Sequence, residues 1–179
     1  VVDDHIATGV LGDVVVYRRG RMKLAHNDIG AEIAAISRRE TPDEFPMRLI
    51  GMRQPRSENS WMHNSPMLMG PVLKRGDRAH GALMNADDGA ALAIADGDTV
   101  SIRSASGAIE VPVTLTTDIV RGAIAVPHGW GHSGSGGWKL ANRGGGVNVN
   151  TLMSTAPADV ESLAGMSWLT GVPVRVQSA

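Results

Sequence analysis

The chain has no cysteine. Within its 179 residues that excludes a disulfide framework, thiolate zinc sites, iron–sulfur ligation and a cysteine nucleophile. Phenyl and phenol rings are nearly missing, with one Phe and one Tyr against four Trp. A core must then be filled by Val, Ile, Leu, Ala and the nine Met. Neither sign of charge is in excess, since the formal net charge is −1. Nothing in the overall field draws the chain toward nucleic acid or an anionic membrane. No apolar run approaches the ~20 residues of a membrane-spanning helix. The N-terminus lacks the charged and apolar regions of a signal peptide, and a cytoplasmic location is the expectation. The chain opens at Val1 rather than Met, and the expectation is an excised piece of something longer.

What is present is concentrated in polar loops. The stretch Pro127-His128-Gly129-Trp130-Gly131-His132-Ser133-Gly134-Ser135-Gly136-Gly137-Trp138 has five glycines in twelve residues. That frees the backbone to turn and lets another group approach it closely. Histidines, tryptophans and serines among bare amides suit a large polar heteroaromatic ligand; the same composition also suits a flexible surface loop. Trp61, Trp130 and Trp138 all lie in polar or glycine-rich surroundings, where tryptophan often serves a ligand or interface surface. A second polar stretch runs from Arg53 through Arg56, Ser57, Asn59, Ser60, Trp61 and His63 to Asn64. From Arg48 to Arg78 six Lys/Arg stand against two Asp/Glu, a local excess of +4. A basic loop rich in hydroxyls and amides suits a phosphate or diphosphate. It equally suits a solvated loop whose Asn and Ser side chains cap its own turns.

Taken in order, residues 1–45 read as a lead-in from a preceding domain and 46–179 as a domain of its own. Leu11 to Tyr17 is a candidate strand, followed by the basic run Arg18, Arg19, Arg21 and Lys23. Ile29, Ile33 and Ile36 fall at helical spacing, with Asp28 as N-cap and Pro42 as the stop. Met47 to Arg53 is a first strand. Met69 to Gly81 reads as irregular. Leu83 and Met84 close a short strand, and Asn85 caps a short helix with acids in its first turn. Thr99–Arg103 and Ile109–Leu115 alternate around a turn at Ser104–Gly107. Pro112 argues for an edge or a bulge. Ala123–Val126 is a strand, and Val172–Val176 alternates as the last one. Val147-Asn148-Val149-Asn150 also alternates, which predicts Asn148 and Asn150 side by side on one strand face, where two amides could read a heterocycle edge. Short strands at regular spacing with few helices predict a mainly β fold, a closed or nearly closed barrel with polar loops at its rim.

Convincing catalytic chemistry is missing from the pattern. His128 and His132 have the i, i+4 spacing of a helical zinc pair, but the glycines between them oppose a helix and no acidic third ligand follows closely. Asp87, Asp88, Asp96 and Asp98 sit in a helix start and a turn, where each has a local structural use. No serine lies in a nucleophile elbow. The expectation is no catalytic residue and no protein-held metal.

Together, Arg53 to Asn64, Asn85-Ala86-Asp87-Asp88-Gly89-Ala90, Ile94 to Val100, Gly107, Arg121-Gly122, Pro127 to His132 and Val147 to Leu152 resemble, in their order, the C-terminal domain of molybdopterin-dependent oxidoreductases, the dimethyl-sulfoxide-reductase superfamily. The likeness covers roughly residues 46–178. It implies a double-psi β-barrel closing over bis(molybdopterin guanine dinucleotide) with molybdenum or tungsten. It also implies cofactor contacts from Arg53, Arg56, Ser57, Asn59, Ser60, Trp61, His63 and Asn64, and from His128, Gly129, Trp130, Gly131 and His132. Asn148, Asn150, Thr170 and Gly171 would face a pterin. Upstream domains of the same polypeptide would be partners and would carry the metal ligand, so this piece would not turn over alone. The wording of Pro127–His132 is similar to the formate-dehydrogenase-like branch. Two other readings stay open: a partner- or substrate-recognition barrel without cofactor, and a free-standing decarboxylase-like barrel enzyme.

Overall fold

The computed structural model describes residues 27–54, 60–75 (backbone alone for 71–75), 80–133, 136, 138–161 and 164–179. The expected strand at Leu11–Tyr17, the basic run at Arg18–Lys23, and Arg56, Ser57 and Asn59 lie outside them. The chain divides into two units, Val1–Arg39 and Glu40–Ala179. In the first, helix α1 spans Asn27–Ser37 with Asp28 in its first turn. Its three isoleucines, Ile29, Ile33 and Ile36, are exposed.

The second unit is a closed barrel of six strands in the order β1-β5-β2-β4-β3-β6. These are β1 (Met47–Met52), β2 (Ala82–Asn85), β3 (Thr99–Arg103), β4 (Ala108–Thr116), β5 (Ala123–Pro127) and β6 (Thr170–Ser178). The pairs β1·β5 and β2·β4 are parallel, and the other four are antiparallel. Alternation does what the sequence expects of it. Val100 and Ile102 of β3 and Ile109, Val111 and Val113 of β4 point inward with Leu49, Met84, Ile124, Val126, Val174 and Val176. Each such side chain contributes about 1.5–3 kcal/mol by leaving water. With scarcely any Phe or Tyr, the interior is aliphatic. β5 is buried along its whole length.

Three expectations change. Pro112 is not at an edge, because β4 pairs on both sides. Val113 N donates to Asp98 O, so the Pro112 nitrogen faces the β2 side, where pairing begins only at Val113. The missing N–H therefore breaks no rung of the ladder. Met69–Gly81 is not irregular throughout, since helix α2 runs over Pro66–Arg75. Pro66 occupies the first position, where a missing N–H costs nothing, and the helix forms with Met69 buried despite the poor propensity of Gly70 and Pro71. Val147–Leu152 is not a strand but a 3-10 turn at Val149–Leu152. Val149 and Leu152 plug one end of the barrel, and the Ser104 hydroxyl donates to Leu152 O at 2.9 Å. That hydroxyl also accepts from Ser106 N and Gly107 N, tying the β3–β4 hairpin to the plug. A Cβ at Gly107 would stand 2.6 Å from Thr151 O. The short helix α3 (Ala86–Ala91) has the expected Asn85 cap, accepting from Asp87 N.

Candidate functional site

The site is built at the ends of two parallel strands. β1 and β5 run in the same direction with Met52 opposite Pro127, so the next residues, Arg53 and His128, emerge side by side. β6 starts at the same end, with Ile50 opposite Thr170. Between them lies a cleft of about 260 Å³ lined by Gly51, Arg53, His128, Asn150, Met153 and Thr170, with Val149 and Leu169 as apolar walls. Gly51 makes this approach possible, since a Cβ there would meet Leu169 O at 2.8 Å. Arg53 is exposed. Burial, and then the Arg53 guanidinium, hold the His128 imidazole below its ordinary pKa. A neutral donor–acceptor ring beside a guanidinium, an amide and a hydroxyl forms a cationic, hydrogen-bonding mouth suited to an anionic polar ligand.

The glycine-rich loop leaves this cleft and folds over a cluster of rings. Gly129 and Gly131 have φ of 93° and 79°. Gly131 lies so close to the chain at 147–148 that a Cβ would be 2.3 Å from Asn148 N. Trp130 is only 5% exposed, and its Nε1–H donates to Gln54 Oε1 at 2.9 Å. It packs against His63 with ring centres 4.2 Å apart. His63, fully buried, places Nδ1 3.2 Å from His132 Nε2. That His132 nitrogen donates to Gly129 O at 2.7 Å, and the ring stacks on Trp138. Burial and the neighbouring His132 hold His63 below its ordinary pKa, with His80 and His128 adding to this and a Gly129 backbone hydrogen bond opposing it. The cluster is a packed seat of rings for the loop.

The structure thus sorts the expected site residues. Arg53, His128, Asn150 and Thr170 meet in the cleft. Gly131 and Asn148 line a separate, shallower trough of about 670 Å³ with Ser101, Glu110, Ser133 and Thr151. Asn148 and Asn150 are therefore not neighbours on one face. Gly145 and Gly146 turn the chain at positive φ, and the Asn148 side chain caps the 3-10 turn by accepting from Asn150 N. Trp130 and His63 are interior to the loop, whereas Trp61 is 80% exposed. Asn64 Oδ1 accepts from Leu140 N and Ala141 N at the start of helix α4 (Lys139–Arg143). Ser60, at φ 81°, carries the left-handed residue before the 3-10 turn Trp61–Asn64. Gly171 also has positive φ, and its carbonyl accepts from Arg48. The acids have the local uses expected of them: Asp88 accepts from Gly122 N, Asp96 from Leu115 N and Asp98 from Ala95 N.

Sequence reasoning missed Gln54, Gly51, Met153 and His80. Gln54 stood inside the polar stretch and needed only a partner with an N–H. His80 gave no signal, as it follows a run without periodicity.

Residues 47–165 match the molydopterin dinucleotide binding domain family. The chain belongs to that family. A curated relative of this molydopterin dinucleotide binding domain is a tetrathionate reductase subunit of Salmonella typhimurium. It is 24% identical over 147 residues, which is 76% of this chain and 14% of the relative. Among solved structures, acetylene hydratase from Pelobacter acetylenicus superposes with a TM-score of 0.59 at 16% identity, over 89% of this chain and 21% of that one. The domain therefore spans about a seventh and a fifth, respectively, of these two longer proteins.

Proposed function

We propose that this domain retains and orients bis(molybdopterin guanine dinucleotide), carrying molybdenum or tungsten, at the cleft between Arg53, His128, Asn150 and Thr170. The observation that carries the reading is the cationic mouth where parallel β1 and β5 end together, lined by one guanidinium, one imidazole, one amide and one hydroxyl. The donor set fits part of such a group: Arg53 suits a diphosphate, and Asn150 and Thr170 suit a guanine or pterin edge. The volume, about 260 Å³, suits one such portion rather than the whole dinucleotide. When bound, the metal and pterin supply the redox chemistry. The chain's own residues bind, orient and shield. The parallel pairs β1·β5 and β2·β4 in a six-stranded barrel support a double-psi topology. The wording of Pro127–His132 supports a formate-dehydrogenase-like parent, in which upstream domains of the same polypeptide complete the site and the cytoplasm is the compartment.

The test uses the longer parent enzyme. Arg53→Ala and Asn150→Ala are expected to lower guanine nucleotide released per protein at least severalfold while the barrel's far-ultraviolet circular dichroism is unchanged. Full nucleotide and metal content in both variants would sink this site and leave the barrel as a partner-recognition module.

A further inference from the structure

We propose that His80 is the positioning residue that sets the glycine-rich loop, by holding the Pro127 carbonyl at the point where the sheet has no strand left to hold it. The bearing of this on cofactor binding rests on the function proposed above; the clamp itself does not.

The register makes the need explicit. β2 and β5 pair antiparallel with Leu83 opposite Ala125 and Met84 opposite Ile124. Continued by two residues, that ladder would set Gly81 opposite Pro127, but β2 begins at Ala82. On its other edge β5 still has a partner, since Met52 pairs with Pro127 and His128 N donates to Met52 O at 3.1 Å. The Pro127 carbonyl therefore sits, buried, at a seam where main-chain pairing has stopped, and a buried carbonyl without a donor costs about 1–3 kcal/mol. The side chain of His80 takes the place of the missing rung, with Nε2 2.9 Å from Pro127 O.

A carbonyl only accepts, so the His80 proton is on Nε2 and Nδ1 carries the lone pair. Nδ1 is buried and has no hydrogen-bond partner among the described residues. His80 is only 6% exposed, and burial holds its imidazole below the ordinary pKa while the Pro127 bond opposes this. The neutral Nε2–H form is thus the resident one. The ring also packs on Trp130, centres 5.5 Å apart. Gly146 leaves the room for both, since a Cβ there would lie 3.0 Å from His80 Cβ and Cγ and from Trp130 Cβ. One imidazole therefore fixes the loop at two points: the carbonyl just before His128 enters the cleft, and the indole three residues after Pro127. This is a hydrogen bond with a direction, not only a filled volume, and that difference is testable.

His80→Leu keeps bulk and loses the donor, whereas His80→Gln keeps an N–H near the Nε2 position. Hydrogen–deuterium exchange of the segment 127–133 in the full chain is the readout. His80→Leu is expected to speed exchange there about tenfold, equivalent to ~1.4 kcal/mol, with β3 and β4 unchanged. His80→Gln is expected to restore the segment to within about threefold of the wild type. Unchanged exchange in His80→Leu, or equal loosening by Leu and Gln, overturns the clamp. A measurement without substitution covers the case in which the variants fail to fold: nitrogen-15 spectra of the wild type should show His80 as the Nε2–H tautomer with a slowly exchanging proton. An Nδ1–H tautomer or a rapidly exchanging proton overturns the proposal. Guanine nucleotide content of the parent enzyme carrying the same substitutions separates the two ideas. A loosened loop with lowered nucleotide supports both, and a loosened loop with full nucleotide supports the clamp while removing the loop from the cofactor reading.

Discussion

The barrel wall and the glycine-rich rim are built on different physics. In the wall, strand ladders satisfy the backbone and aliphatic side chains fill the interior; β5 is buried throughout. In the rim, the described residues between His128 and Leu152 lie outside the strand ladders, and side chains tie them and the strand end before them in place: Trp130 to Gln54, His132 to Gly129 O, His80 to Pro127 O, Asn64 to the start of α4 and Asn148 to its own turn. A wall residue contributes through volume, which neighbours partly replace. A rim residue contributes through a direction or a permitted φ, which they do not. This contrast explains why the cleft-lining groups emerge where they do. The wall supplies two parallel strand ends, and the rim supplies a seat precise enough to keep His128 beside Arg53.

The largest effect should come from breaking the wall. Leu49→Ala, at a fully buried position, is expected to cost about 2–5 kcal/mol in a urea titration while loop exchange in the surviving native state stays as in the wild type. Selective loosening of 127–133 by this substitution would contradict the separation of wall from rim. Gly131→Ala tests the other side. Its φ of 79° and a Cβ 2.3 Å from Asn148 N are expected to cost about 1–3 kcal/mol and to displace the loop from the 147–148 segment. Here the expected signature is accelerated exchange at 127–133 with β3 and β4 protected, and a uniform change across the barrel would argue against it. The smallest effect is a pH response. His63, His80 and His128 are all held below their ordinary value of 6.5 in the folded chain. A depressed folded pKa means that the unfolded chain takes up protons first. Stability is therefore present in full above pH 6.5 and is lost as pH falls below it, levelling off once the folded imidazoles titrate. Urea midpoints at about pH 7.5 and about pH 5.5 should show the lower value at the acid end, and the rim should loosen before the wall. A midpoint unchanged or higher at the acid end would remove the imidazole cluster from the account.

Much of the wall was legible in the sequence, because strand alternation and turn residues are local. Val100 and Ile102, the Ile109–Val113 series, Asn85 as a cap and the inward Val174 and Val176 all follow from period and neighbour alone. The same local rules misread Val147–Asn150. There the V-N-V-N pattern has strand period, but preceding glycines turn the chain, and Val149 enters the core while Val147 packs only partly buried against it. They misread Met69–Gly81 too, where a glycine and a proline hide a helix that buries Met69. Of the site, the sequence pointed to Arg53, His128, Asn150 and Thr170, which come together in the cleft. It could not separate them from Trp130 and His63, which sit inside the loop, because exposure is not a local property.

By itself, then, the order of residues determined a β-barrel interior of aliphatic side chains, the short capped helix, the polar rim and, through the combined motifs, the family. Only the tertiary structure decided that β1 and β5 end side by side, that Asn148 and Asn150 part into two hollows, and that His80 takes over from a strand one residue too short. Pairing register across distant segments sets all three, and register depends on how the whole barrel closes.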